Sequence, residues 1–203
     1  MISRRGKPFY AAFGKKTTEV RGKNRRKLLH YYLPIKSGLY QNDFQDFGLS
    51  DYAEAVFEGE APAGISPINI CPKNLQIQEG TPVKIMGWGP DVNSENSNHL
   101  NEVDLKVAKP FSSKIFLFTK ALYDGEAKGS CPGDSGGPLL LLPFSCLLGT
   151  TVGDMWLHGG SKLGISGICL GTPGSENVND KNFGIFNIVP EMTTKLQKFI
   201  FVK

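Results

Sequence analysis

The chain has 203 residues, with 23 Lys and Arg against 19 Asp and Glu, a formal net charge of +4, and 40% hydrophobic residues beside 24 glycines and 13 prolines. That balance suits a turn-rich globular protein rather than a disordered or membrane one, and the length suits one large domain or two small barrels. The longest apolar stretch, 139–149, is broken by Pro143 and Ser145 and falls short of the ~20 residues a spanning helix needs, so no transmembrane segment and no membrane partner is expected.

From the N-terminus, residues 1–8 are basic and lead directly into a strand-like run rather than into the apolar core of a secretory leader, so either the protein is intracellular or its start is missing. Ten of the 23 Lys and Arg lie in residues 1–27, where Glu19 is the only acid. Such a cluster can attract polyanions. No nucleic-acid motif or aromatic stacking pattern accompanies it, so it reads as a solvated surface with no nucleic-acid partner.

Short alternating segments punctuated by Gly, Pro, Asn and Asp follow, and each predicts a strand with one buried face. They are 9–13 before Gly14, 27–32 before Pro34, 83–86 after Pro82, and 103–107. Residues 139–142 are continuously apolar, as in a core strand. Polar stretches at 91–98 and 171–182 predict loops. After Pro190, Met192, Leu196, Phe199 and Ile200 recur at helical spacing with Lys195 and Lys198 between them, which predicts a C-terminal helix over 190–203. The three histidines and four cysteines show no zinc-type spacing, so no metal and no cofactor is expected.

The most informative segment is Cys131-Pro132-Gly133-Asp134-Ser135-Gly136-Gly137-Pro138. Glycines around a serine allow backbone N–H groups to converge and a substrate to approach closely, which suits an activated hydroxyl beside donors for a developing oxyanion. The Gly-x-Ser-x-Gly spacing also fits a nucleophile elbow, and Ser135, Asp154 and His158 stand in the chain order that reading needs. An elbow, however, demands a core strand before the serine and an amphipathic helix after it. Residues 124–129 and 138–143 fit neither.

The octet resembles the nucleophile loop of the chymotrypsin-like (trypsin-like) serine endopeptidases. Further segments are similar in the same order: Asp51 opening a strand at 51–57, Ser66-Pro67-Ile68-Asn69-Ile70-Cys71-Pro72 between the two barrels, Gly87-Trp88-Gly89 opening the second barrel, and Phe183-Gly184-Ile185-Phe186 late in the chain. Asp51 and Ser135 are 84 positions apart, against about 93 in the family template. The resemblance covers residue 9 to the end. It implies an all-β fold of two antiparallel Greek-key β-barrels, the first incomplete (1–70), the second at 71–189, and the helix at 190–203.

For the site, the resemblance implies Ser135 as nucleophile, Asp51 as the carboxylate that orients a histidine, and the N–H groups of Gly133 and Ser135 as the oxyanion hole. Asp134 takes the activation ion-pair position, and Gly129, Ser166 and Gly184 belong to the specificity pocket. It pairs Cys131 with Cys169. Cys71 matches a cysteine that bridges to a propeptide and Cys146 has no evident mate, with a Cys71–Cys146 bridge left open. Gly129 stands six positions before the serine, where the template has a pocket aspartate; apolar or aromatic substrate side chains are therefore expected, unless Asp124 or Glu126 reaches the pocket.

The template's histidine lies about 45 positions before the aspartate, which falls near Gly6. His30 is in the right order but stands in a Leu-Leu-His-Tyr-Tyr strand context and reads as a strand residue; His99 and His158 read as loop or surface residues. Because the leader, activation site and histidine strand are all missing as one upstream block, the expectation is an N-terminally truncated sequence. The implied function is a secreted serine endopeptidase working through an acyl-enzyme on protein or peptide substrates and subject to protease inhibitors. The competing reading is a non-catalytic homologue that binds protein.

Overall fold

The computed structural model describes residues 9–14, 24–34, 51–90, 99–109, 116–120, 122–123, 127–158, 162–166, 182–190 and 199–202. Among these residues the strands are β1 (Tyr10–Ala12), β2 (Arg25–Pro34), β3 (Glu54–Phe57), β4 (Pro82–Gly87), β5 (Asn101–Ala108), β6 (Phe116–Lys120), β7 (Leu122–Tyr123), β8 (Ala127–Lys128), β9 (Pro138–Leu141), β10 (Cys146–His158), β11 (Lys162–Ser166), β12 (Asn182–Ile188) and β13 (Phe199–Val202). The chain divides into two compact units, Met1–Pro67 with Thr194–Lys203, and Ile68–Thr193.

In the first unit β2 is the centre of a four-stranded antiparallel sheet with β1, β3 and β13. Tyr10 pairs with Lys27 and Ala12 with Arg25, and the Arg25 guanidinium lies 4.4 Å from the Tyr10 ring centre, a cation–π contact. A register shift between Leu28 and His30 bends β2 where it meets β3. His30 is half-buried and its ring meets Tyr32 edge-on at 5.4 Å.

The second unit is a closed barrel. Strand order runs β10-β12-β6-β5-β4-β9, and β9 pairs back onto β10. Closure removes the open edges that would otherwise recruit other strands. β10 is 13 residues long, which lets it pair three ways: Cys146–Thr150 with β9, Gly149–Trp156 with β12, and Asp154–His158 with β11. The period-two pattern explains the core, since Val83 and Ile85 of β4, and Leu139 and Leu141 of β9, are buried while their neighbours are less so. With Leu105, Val107, Leu117, Leu148 and Phe186 they form one cluster, each such side chain contributing about 1.5–3 kcal/mol by burial.

The segment before β4 is docked onto β10. The Cys71 N–H donates to the Leu147 carbonyl at 3.0 Å and the Leu147 N–H to the Asn69 carbonyl at 2.8 Å. This brings Cys71 to Cys146 with their Cα atoms 5.0 Å apart, and the two form a disulfide. The propeptide-type partner expected for Cys71 is thus replaced by Cys146, and neither thiol is left unpaired.

The all-β expectation holds, and the strands foreseen in 9–13, 27–32, 83–86, 103–107 and 139–142 are present. The helix expected over 190–203 is not shown, and its last turn is a correction. Val189 and Pro190 are helical, residues 191–198 lie outside the described residues, and Phe199–Val202 is a strand paired to Tyr31–Pro34 of β2. Phe, Ile, Phe and Val are strong strand formers, and the available edge of β2 satisfies their backbone groups better than a frayed final helical turn would. The loop foreseen at 91–98 lies outside the described residues, as does 171–181 of the later loop.

Candidate functional site

The octet folds as two consecutive tight turns. In the first, Pro132 and Gly133 are the central residues and the Asp134 N–H returns to the Cys131 carbonyl at 2.9 Å; in the second, Ser135 and Gly136 are central and the Gly137 N–H returns to the Asp134 carbonyl at 2.8 Å. Gly133 has φ +107° and Gly136 φ +81°, each at the third turn position, where a type II turn requires positive φ. Two threads tie this loop to β10. The Gly136 N–H donates to the Thr151 carbonyl at 2.7 Å and the Thr151 N–H to the Gly137 carbonyl at 2.9 Å.

The hydrogen bonds leave a pattern. The N–H groups of Asp134, Gly136 and Gly137 are used, whereas among the described residues those of Gly133 and Ser135 donate to no backbone carbonyl. Ser135 and Gly133 are exposed. Two uncommitted amide donors beside an exposed hydroxyl can stabilise the anionic oxygen that develops on a carbonyl attacked by that hydroxyl.

Asp134 fixes the loop from beneath. One carboxylate oxygen accepts the Gly89 N–H at 2.7 Å and the other the Cys131 N–H at 2.8 Å. The seat exists because Gly87 and Gly89 have no side chains. A Cβ at Gly87 would collide with the Asp134 carboxylate, and one at Gly89 would lie 2.7 Å from Oδ1, so Gly-Trp-Gly is a cradle for Asp134. Gly133 in turn packs on Gly89, where a Cβ would meet the Gly89 Cα at 3.3 Å. Sequence reasoning singled out Gly-Trp-Gly only as the start of a barrel and missed this role and that of Thr151. The available signal was the two glycines flanking Trp88.

The other expected site residues are placed as follows. Gly129 is half-buried and precedes Ser130, which is buried, and Cys131, which is disulfide-bonded; Cys169 lies outside the described residues. Ser166 ends β11 and Gly184 lies in β12, and both pair with Asp154 of β10. The strand that holds the serine loop is thus β10 at Thr151, while Ser166 sits one strand further out. Asp51 and His30 belong to the first unit. Asp51 stands just before β3, exposed at its surface, and partial burial of its carboxyl pushes its pKa above the ordinary carboxylate value. Tyr52 beside it is also raised, by burial first and by the Glu54 charge second. His99 is exposed just ahead of β5, and His158 ends β10 opposite Lys162. Among the described residues no cluster of His, Cys, Asp and Glu could hold a metal ion, and no helix is long and apolar enough to cross a membrane.

Comparison with known proteins adds to this geometry. The trypsin family model matches residues 13–153. Trypsin 5G1 of Aedes aegypti is 29% identical over 136 residues, 61% of this chain and 47% of that protein. Glucanase inhibitor protein 1 of Phytophthora sojae is 31% identical over 93 residues, 44% of this chain and 36% of its own length. The chain therefore spans about half or less of the curated relatives it matches. Among solved structures, a mutant of human heparin binding protein superposes with a TM-score of 0.62 at 16% identity, covering 91% of this chain and 71% of the other, a likeness of fold. With the family match running through most of the chain, from the first sheet into the strand that holds the Ser135 loop, this chain belongs to the trypsin family.

Proposed function

We propose that the chain carries a serine endopeptidase site in which Ser135 is the nucleophile, the N–H groups of Gly133 and Ser135 are the oxyanion donors, and Asp51 is the carboxylate that orients the base. The observation that carries this reading is the loop's pattern of used and unused amides around an exposed serine, held by the seated Asp134. In the reaction the Ser135 Oγ attacks the scissile carbonyl carbon. A general base takes the hydroxyl proton and passes it to the leaving amine, and water then hydrolyses the acyl ester by the reverse proton path. The substrates are proteins or peptides, and protease inhibitors would compete for the same loop. A disulfide between Cys131 and Cys169 beside the loop, and secretion into an oxidising compartment, fit this reading and the Cys71–Cys146 bridge.

None of the three histidines stands at the template's spacing before Asp51. Lacking that base, turnover by these 203 residues is expected to fall by on the order of 10⁴- to 10⁶-fold. The test supplies a base from solution: the folded chain is treated with a fluorophosphonate probe across a range of imidazole concentrations. Labelling that rises with imidazole and vanishes in Ser135→Ala supports the reading. Labelling that ignores imidazole, or persists in Ser135→Ala, overturns it.

A second reading is a non-catalytic homologue that binds another protein, and the similarity to a protein named as a glucanase inhibitor favours it. It predicts no labelling of Ser135 at any imidazole concentration.

A further inference from the structure

β10 changes partner at Thr151. Up to Thr150 it pairs with β9, the last pair being Thr150 with Pro138, and the next residue takes up the Ser135 loop itself. Three hydrogen bonds meet there. The Gly136 N–H donates to the Thr151 carbonyl at 2.7 Å, the Thr151 N–H to the Gly137 carbonyl at 2.9 Å, and the Thr151 hydroxyl to that same Gly137 carbonyl at 3.2 Å. Immediately afterwards β10 bulges: Thr151 pairs with Phe186 of β12 and Gly153 with Ile185, which leaves Val152 as the extra residue. A bulge interrupts regular pairing and re-aims the side chains around it.

The first two bonds use only the backbone, so a residue without a hydroxyl could make them. The third needs this side chain. Thr151 is 5% exposed and its strand partner Phe186 is fully buried, a setting in which valine would have the same shape and no polar atom to desolvate. The hydroxyl is tolerated there because it bonds to Gly137, and Gly137 is the residue that closes the Ser135 turn. Its N–H is spent on the Asp134 carbonyl, and a Cβ on it would lie 2.6 Å from the Met86 carbonyl oxygen and 2.8 Å from that of Asp134. With Gly137 wedged in this way and its carbonyl held by two donors, the peptide planes of Ser135 and Gly136 are fixed between Asp134 and Thr151.

We propose that Thr151 is a positioning residue for Ser135: its hydroxyl, by holding the Gly137 carbonyl, keeps the turn that carries the Ser135 hydroxyl and N–H in one orientation. The proposal rests on the serine-endopeptidase reading for what Ser135 does. It is separate from the role of Asp134, whose carboxylate anchors the first turn through the Cys131 and Gly89 N–H groups. Thr151 anchors the second turn, where the nucleophile stands. Preorganised groups accelerate a reaction only while their geometry is kept, so loss of this hydrogen bond should appear in the bond-forming step and not in the binding that precedes it.

The test follows imidazole-assisted fluorophosphonate labelling of Ser135 over a series of probe concentrations, which separates the maximal labelling rate from the probe concentration that gives half of it. Thr151→Val keeps the shape and both backbone bonds but loses the hydroxyl. It is expected to lower the maximal rate about 2- to 10-fold, the range spanned by one neutral hydrogen bond, and to leave the half-maximal concentration unchanged. Thr151→Ser, which keeps the hydroxyl and drops a methyl, should restore most of the rate. Thr150→Val, one position earlier and outside the three bonds, should label like the unaltered chain. The proposal is overturned by an unchanged rate in Thr151→Val, by equal losses in Thr151→Val and Thr151→Ser or in Thr151→Val and Thr150→Val, or by a change confined to the half-maximal concentration. If Thr151→Val does not fold, Thr151→Ala against Thr151→Ser takes its place, with the same split expected. An unaltered chain that is not labelled at any imidazole concentration overturns the serine-endopeptidase reading and this proposal with it, whereas a labelled chain indifferent to loss of the hydroxyl overturns this proposal alone.

Discussion

At Asp134 the chain solves a packing problem with backbone alone. A carboxylate inside a loop must find donors for both oxygens or lose more than it gains, and here Gly89 and Cys131 each give one N–H. The cost is that Gly87 and Gly89 cannot change. Gly89→Ala is expected to destabilise by about 1–3 kcal/mol through overpacking and to slow imidazole-assisted labelling of Ser135. In an Asp134→Ala background the same substitution should cost less, because the atoms it strikes are gone; a urea-denaturation cycle measures that coupling, and strict additivity would refute the cradle. Asp51 gives a second prediction with a definite sign. Its folded pKa is raised by burial, so the favourable contribution of its protonated form is present below the unfolded pKa and is lost as pH rises through the folded one. Asp51→Asn should therefore gain stability relative to the unaltered chain near pH ~7 but not near pH ~3. A gain of equal size at both pH values would show that burial of the charge is not the cause.

At the level of elements, what could be read in advance followed from periodicity. β4, β5 and β9 alternate cleanly or are continuously apolar, so their faces were legible. The Ser135 loop was legible because its glycines are fixed by turn geometry. β13 was not, since Leu196, Phe199 and Ile200 satisfy helical spacing while Phe199–Val202 also satisfies a strand, and only the partner edge of β2 decides between them. The seat for Asp134 was hidden for a related reason: it joins Gly89 to a carboxylate 45 positions away through a tertiary hydrogen bond, which local pattern does not encode. The Cys71–Cys146 bridge belongs here too, clamping the lead-in to β4 onto the start of β10 across 75 positions. Chain-entropy reasoning puts its contribution at no more than about 4.5 kcal/mol. Cys71→Ser with Cys146→Ser should lower the urea midpoint accordingly, with the slope also changed if the denatured state expands; an unchanged midpoint would mean the docking hydrogen bonds of Asn69 and Cys71 hold the segment by themselves.

At the scale of the molecule, the buried residues among those described are unevenly distributed. Every buried apolar side chain in the described residues, Pro62 apart, lies in Ile68–Thr193, from Cys71 to Pro190. Exposed large apolar side chains occur in both units, Phe9, Tyr10 and Leu29 in the first and Ile68, Ile70, Leu100 and Phe144 in the second. A closed barrel with one contiguous core and a four-stranded sheet whose described residues bury little apolar area are not expected to unfold together, because stability follows the apolar surface each unit removes from water. Both tryptophans, Trp88 and Trp156, fall in the barrel unit, so their fluorescence reports on it alone, whereas far-ultraviolet circular dichroism averages over both units. The expected result in urea is a circular-dichroism transition that begins at lower denaturant than the fluorescence transition, with backbone amides of β4, β5, β9 and β10 exchanging far more slowly than those of β1, β2 and β3. Coincident transitions and uniform protection would show the two units to be one cooperative structure. If they separate, the Ser135 loop, which hangs on β10 and on the Gly87–Gly89 cradle, should survive the loss of the first unit, and imidazole-assisted labelling should follow the fluorescence midpoint and not the earlier one.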